Sequence, residues 1–272
     1  MTKVARKLKI ISTAVVSALA LGAMVGVAAS SIARAGEAEA KSLLKAMSDY
    51  MAAQKIMSFD YDANFEIVTT DNQKIALASS GTVALARPDK IRATRVGGFA
   101  SVESVFDGKT LTLLGKNANV YAQVDIPGTI DHLIDELKDK YHRPLPAADL
   151  LLSNAYDQLM PDVIDVKDLG SGVIGGTECD HLAFRNKEVD WQIWIAQGEQ
   201  PFPCRFVITS KLVGGGPQYS IQVRNWKAGS QAASGDFSFK APPDAKKMDV
   251  GDLKNTKEMD ELPSHFVIGG NQ

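Results

Sequence analysis

The stretch "ECDHLAFRNKEVDWQIWI", residues 178–195, sets Cys179, Asp180 and His181 side by side, with Trp191 and Trp194 close behind. A thiol, a carboxylate and an imidazole are side chains of nucleophilic catalysis and of metal ligation. Whether they can act together depends on the backbone that carries them. The segment alternates apolar and polar residues and turns at residues 186–189, which predicts a β-hairpin whose paired residue numbers sum to 375. Leu182 then faces Ile193, Phe184 faces Trp191 and Asp180 faces Ile195. Cys179, His181, Ala183 and Arg185 occupy the other face, across from Gln192 and Trp194. Successive strand residues point to opposite sides of a sheet, so Asp180 and His181 do not form a base with its orienting group. Packing on Trp194 suffices as a role for His181, and no second ligand stands at metal spacing.

Other short motifs dissolve in the same way. "GSGVIG", with Gly170, Gly172 and Gly175, fits the dinucleotide fingerprint, but that loop needs a helix behind it. The residues that follow, "GTECDHLAF", are strand-like, so the glycines read as a turn. "GKT" at 108–110 resembles the end of a phosphate loop, yet Glu103 stands where the first glycine belongs. His132 and Glu136 share a helix face beside Asp131 and Asp135, where a solvated acidic surface is the simpler account. His142 and His265 lie in Pro-flanked or tail segments, and no serine sits in a nucleophile elbow. The residues therefore point to a protein without catalysis, metal or cofactor.

The elements around these residues are mostly strands. An amphipathic helix is expected over 37–56, where Leu43, Met47, Tyr50, Met51 and Gln54 recur at helical spacing. Strand chemistry then takes over through "FDYDANFEIVTT", "KIALASSGTVALA" and "KIRATRV". In "SVESVFDGKTLTLL", Asp107-Gly108 suits a two-residue type I′ turn, so paired numbers should sum to 215. Val102, Phe106, Leu111 and Leu113 then share an apolar face, and Ser101, Glu103, Thr110 and Thr112 share a wet one. A helical interlude follows, with Ile130, Leu133, Ile134, Leu137 and Tyr141 in one stripe. Pro144 and Pro146 end it, and "AADLLLSNAYDQLM" reads as a second short helix. Strands return at 163–169, 173–185, 189–196, 204–212, 218–228 and 236–239. Without a βαβ rhythm, this order predicts an α+β, mainly β chain: about eleven strands in an antiparallel meander curled to hide one face, with the helices covering its open side.

The ends and composition set the compartment. Lys3, Arg6, Lys7 and Lys9 precede an apolar run from Ile10 to about Val27, and Ala33-Arg34-Ala35 supplies a small-x-small site. This is the layout of a secretory signal, residues 1–35, cleaved after Ala35; the run is also just long enough to remain as an anchor. Residues 36–241 form the expected single domain and 242–272 a loosely structured tail. Cleavage removes five basic residues and no acidic one, leaving 25 Lys and Arg against 32 Asp and Glu, a net charge of about −7. Such a chain does not suit nucleic acid. Cys179 and Cys204 both lie in the exported part, at the beginnings of neighbouring strands. An even count in an oxidising compartment favours a disulfide between them, with two separate buried thiols as the alternative.

The signal segment, the first helix, "ARPDKIRATR", "FDGKTLTLLGKNANVYAQV", the helical break and "GDFSFKAPPDAKKMDV" occur in the order in which similar stretches occur in the periplasmic lipoprotein carriers of the Lol system. The middle of the chain, "GGTECDHLAFRNKEVDWQIWI" through "PFPCRFVIT", more closely resembles a family of predicted periplasmic proteins of unknown function that shares that fold. The resemblance implies a periplasmic half-barrel closed by helices around a lipid-sized cavity. It also implies that Arg87, in the Arg-Pro pair, bonds to the lid helices and latches them. Val102, Phe106, Leu111, Leu113, Ile134 and Leu137 would line the inside and bind a lipid or acyl chain. The long hairpin, the cysteines and the extended tail depart from the carriers. They keep a second reading open: an envelope protein-interaction module with a filled interior, meeting its partner through the sheet edge or the tail. An exported hydrolase or metalloenzyme built on His181, Asp180 or His132 comes third.

Overall fold

The computed structural model describes residues 22–143, 145–232 and 235–255. Residues 1–21 of the expected signal, and residues 256–272 of the expected tail with His265, lie outside the described residues.

Six strands come first: β1 (Ile56–Val68), β2 (Lys74–Ala86), β3 (Lys90–Gly97), β4 (Ser101–Phe106), β5 (Thr110–Gly115) and β6 (Val120–Asp125). Five follow the helical interlude: β7 (Asp165–Ile174), β8 (Thr177–Arg185), β9 (Val189–Ala196), β10 (Pro203–Ser210) and β11 (Gln218–Ala228), with β12 (Lys246–Lys247) near the end. The helices are α1 (Gly22–Ala53), α2 (Ile130–Asp139) and α3 (Ala155–Leu159), with a 3-10 turn at Ala148–Leu151. Among the described residues all twelve strands join one unclosed sheet, ordered β12-β6-β5-β4-β3-β2-β1-β11-β10-β9-β8-β7. It is thus two antiparallel meanders joined where β11 returns to pair with β1, while β12 lies parallel to β6.

The sheet curls because its inner residues converge under the helices. Leu44, Met47 and Met51 of α1 share one core with Met57, Leu85, Leu182, Phe184, Trp191, Ile193 and Phe206. α1 runs further toward the N-terminus than the periodicity implied, continuing through Ala35 and Gly36 without a break. Where an inner position is Gly81, the Tyr61 ring lies over it and its hydroxyl donates to the Thr94 carbonyl at 2.9 Å. A Cβ on Gly81 would stand 1.9 Å from that carbonyl oxygen and 2.7 Å from the ring, so only glycine fits.

The β8–β9 hairpin keeps the expected register, with Leu182 opposite Ile193 and His181 opposite Trp194. The β4–β5 hairpin does not. Phe106 pairs with Leu111 and Ser104 with Leu113, two residues out of the expected alignment. The Asp107 carboxylate accepts from the backbone amides of Lys109 and Thr110 at 2.9 and 2.8 Å, which stabilises a longer loop than the two-residue turn. Because the shift is even, Val102, Phe106, Leu111 and Leu113 still share a face.

Three further expectations need correction. "GSGVIG" is mostly strand: β7 bulges between Asp168 and Ser171, where Gly170 has φ +81°, and the turn falls at Gly175-Gly176. Residues 236–239 form no strand; they cross the convex side of the sheet, where the Asp236 carbonyl accepts from Arg92 Nη1 and Phe239 packs on Tyr121 at 5.1 Å. The chain then reaches the β6 edge, with Met248 N donating to the Tyr121 carbonyl at 2.8 Å. Under this crossing Glu103, Val105, Thr112 and Leu114 are buried, so the face expected to be wet is covered.

Candidate functional site

Polar and apolar groups meet where the β2–β3 turn touches the helical lid. Arg87 and Pro88 form that turn through a cis peptide bond. Backbone bonds tie it on both sides: Arg87 N donates to the Lys55 carbonyl, and Ile130 N donates to the Pro88 carbonyl, both at 2.8 Å. The second bond docks the first residue of α2, a helix started by Thr129, whose hydroxyl accepts from His132 N at 3.2 Å.

The Arg87 side chain enters the lid. Its Nη2 donates to the Leu151 carbonyl at 2.7 Å, at the end of the 3-10 turn. Its Nη1 lies 3.8 Å from Asp131 Oδ1 on α2. Asp131 in turn accepts from Ser153 N at 3.2 Å and from the Ser153 hydroxyl. One guanidinium therefore links the sheet to two lid elements, and the Asp131–Ser153 contact links those elements to each other. Burial lowers the Arg87 pKa and the Asp131 charge opposes that shift; the group stays cationic. Among the described residues its Nε is buried without a partner.

Beneath α2 the sheet is apolar. Phe106, Leu111, Ile126 and Leu133 are buried together, with Leu113, Leu137 and Tyr141 partly buried around them. Ile134 points instead into the main core. Val102 is half-buried, at the far end of β4, and belongs to neither cluster. The six residues expected to line one interior are thus divided: four meet under α2, one joins the main core, and one stands apart. Ile91, not singled out from the sequence, packs against both clusters. The space between α2 and the sheet is occupied by these side chains.

The residues with the most reactive chemistry do not converge. His181 stacks on Trp194 at 4.0 Å and its Nε2 bonds to Gln192 Oε1 at 2.9 Å. Asp180 points to the other side and accepts from Gln197 at 2.7 Å. Glu136 is paired with Lys140 at 2.9 Å. Among the described residues no three His, Cys, Asp or Glu side chains gather as metal ligands would.

Cys179 and Cys204 do come together, as free buried thiols and not as the expected disulfide; their sulfurs lie 2.9 Å apart. Their strands are not the neighbours expected, since β9 lies between β8 and β10; Cys204 sits at the register irregularity between Pro203 and Arg205 and is buried with Cys179 and Ala196. Burial raises both thiol pKa values.

A family model described as "Predicted periplasmic protein (DUF2092)" matches residues 40–251. No curated protein matches the chain. Among solved structures, the chain is similar to an uncharacterized conserved protein from Thermus thermophilus, at 12% identity over 78% of this chain and 99% of that one, with a TM-score of 0.45. It is similar to LprF from Mycobacterium bovis at 13% identity over 74% and 98%, TM-score 0.45. A complex of MucA and MucB from Pseudomonas aeruginosa aligns at 14% identity over 75% of this chain and 62% of that one, TM-score 0.43. Among the described residues no helix is long and apolar enough to cross a membrane.

Proposed function

Because the chain belongs to the DUF2092 family of predicted periplasmic proteins, we propose that it works in the cell envelope as a non-enzymatic carrier or sensor of a lipid or acyl-type ligand. The ligand enters the concave side of the half-barrel when α2 lifts, and Arg87 is the latch. The observation that carries this reading is the junction of a polar latch with an apolar seat: Arg87 bonds to the Leu151 carbonyl of the 3-10 turn and approaches Asp131 of α2, while Leu133 and Leu137 of that helix pack on an apolar cluster of the sheet. A helix held to the sheet by a few polar bonds at its first turn, and resting elsewhere on an apolar surface, can exchange that surface for an acyl chain. Native mass spectrometry of protein isolated without detergent, followed by organic extraction, tests it. A stoichiometric adduct of lipid mass is the expected result. A bare mass, together with failure to bind added lipid, refutes it.

A second reading has its own observation. β7 is the outermost strand at one end of the sheet, and it and the residue before it expose Ile164, Leu169 and Val173. An exposed apolar edge suits strand addition by a protein partner. In that case a photo-crosslinker at Leu169 captures one partner, and the interior stays filled.

The two thiols are proposed to become a disulfide in the exported protein. Their proximity and the oxidising compartment support this. Each sulfur loses a proton, and the electron pair passes to the disulfide of an oxidising thiol exchange partner.

A further inference from the structure

Arg95 differs from the other arginines of its sheet neighbourhood. Its strand neighbour Arg92, on the convex face, bonds to Glu103 at 2.6 Å. Arg224, also convex, reaches Asp62 at 2.6 Å. Arg95 lies on the concave face, in register with Gly81 of β2 and Val102 of β4. The side chains that flank it there in adjacent strands, Ser79, Val83 and Ser104, are neutral. It is half-buried, and among the described residues it has neither a hydrogen-bond acceptor nor an ion-pair partner.

Its surroundings carry no charge, and one side is aromatic. The Tyr61 ring covers Gly81 beside it. Tyr61, Gly81 and Arg95 stand in register across three strands; burial raises the pKa of the Tyr61 hydroxyl, and the Arg95 charge lowers it in part. A half-buried guanidinium without a counter-charge has lost hydration without gaining a partner. Such a group favours any arrangement that brings an anion to it, and its planar fork suits a carboxylate or a phosphate.

Direction along the strand supplies the rest. From Val102, beside Arg95, the concave face of β4 runs through Ser104 to Phe106, four residues or about 13 Å away. Phe106 and its partner Leu111 are the apolar surface beneath α2. A molecule with its head at Arg95 therefore lays its tail along β4 and β5 into the space that α2 covers.

We infer that Arg95 is the head-group site of the concave face, and that the ligand is an anionic amphiphile: a carboxylate or phosphate head on an acyl or alkyl chain. This rests on the carrier reading above and narrows it to a ligand class. The tail contributes affinity through the apolar cluster, and the head sets orientation and selectivity. An uncharged lipid of the same chain length gains only the first of these.

Calorimetric titration of the whole exported chain with three probes tests the inference: dodecyl phosphate and dodecyl maltoside, both below their micelle concentrations, and inorganic phosphate. Dodecyl phosphate is expected to bind more tightly than dodecyl maltoside by about tenfold or more, the scale of a hydrogen bond to a charged group. Arg95→Gln abolishes that preference and leaves the melting temperature near wild type, whereas Arg95→Lys keeps part of it. Equal binding of both alkyl probes to wild type and Arg95→Gln overturns the Arg95 assignment and leaves the carrier reading standing. Binding of inorganic phosphate as tight as that of dodecyl phosphate also overturns it, since the site would then be a simple anion site. Binding of neither alkyl probe overturns both.

Discussion

Replacing Arg87 with alanine should loosen the lid and little else. The largest loss is the bond from Nη2 to the Leu151 carbonyl, at 2.7 Å. A hydrogen bond made by a charged group contributes about 1.5–3 kcal/mol. The approach to Asp131 is long, 3.8 Å, and that carboxylate is about a third exposed, so it adds no more than about 1 kcal/mol. Against these, the substitution removes a buried Nε that has no acceptor, which returns part of the loss. A net effect near 2 kcal/mol raises the population of the open lid about 30-fold at about 1.4 kcal/mol per decade. Hydrogen exchange followed by mass spectrometry reads this directly. Amides within residues 128–153, such as Leu133 N, bonded to the Thr129 carbonyl, and Lys140 N, bonded to the Glu136 carbonyl, should exchange about 30-fold faster. Amides of β9 and β10 should keep wild-type protection, because their ladder does not involve Arg87. Unchanged exchange over 128–153 refutes the latch. So does equal acceleration in β9 and β10, which would mean general destabilisation.

Glu103 should make the protein sensitive to acid. Its burial alone would raise the carboxyl pKa, but hydrogen bonds from Lys116 and Arg92 outweigh burial and hold it below the ordinary glutamate range. A group whose folded pKa is depressed stabilises the fold above its unfolded pKa, and that contribution is lost as pH falls through the folded value. Glu103→Gln should therefore cost about 1–2 kcal/mol at neutral pH, and the gap to wild type should close as pH drops below about 4.5; a gap that is constant with pH in thermal unfolding contradicts this. For the cysteines, protein taken from the oxidising compartment should weigh two hydrogens less than its reduced form. The loop between them spans 25 residues, so the disulfide should add about 3.5 kcal/mol to unfolding relative to the Cys179→Ala, Cys204→Ala variant. Two titratable thiols in the denatured, unreduced protein rule the bridge out.

The parts of the fold legible in the sequence are those that local chemistry decides. Residues 178–196 gave strand, turn and register at once, because alternation and turn length left one alignment that buries Leu182, Phe184, Trp191 and Ile193 together. The Asp107-Gly108 hairpin sits two residues out of the register its dipeptide predicts, since the dipeptide names a turn type but not the additional capping of two amides by the Asp107 carboxylate. The return of β11 to β1 had no local signal. It is a pairing between residues such as Ala63 and Ile221, more than 150 positions apart, favoured by the core they close. The burial of Glu103 and Thr112 was hidden for the same reason: their cover is a crossing from residues 235–248, anchored by backbone groups such as the Asp236 carbonyl, which every sequence offers.

The candidate site follows the same division. Arg87 was marked by resemblance, but the groups it meets, the Leu151 carbonyl and Asp131, come from elements more than 40 residues away, and one of them is backbone. The sequence does not mark Arg95: an arginine in "KIRATRV" looks like any strand-edge cation until the register shows which face it occupies and what stands beside it. Once both are placed, closure and loading compete for the same surface. The cluster of Phe106, Leu111 and Ile126 is covered by Leu133 of α2 in the closed lid, and an acyl tail directed from Arg95 would cover it when the lid is open. The latch therefore sets more than lid mobility. A ligand that needs the open state binds with its intrinsic affinity reduced by the fraction of molecules that are open. Under the proposed carrier function, Arg87 would tune how strongly the protein holds its cargo without touching it, while Arg95 would decide which cargo can pull the equilibrium over. Separating affinity from selectivity in this way would use two cations with opposite circumstances, one bonded to the lid and one on the concave face that has no partner among the described residues.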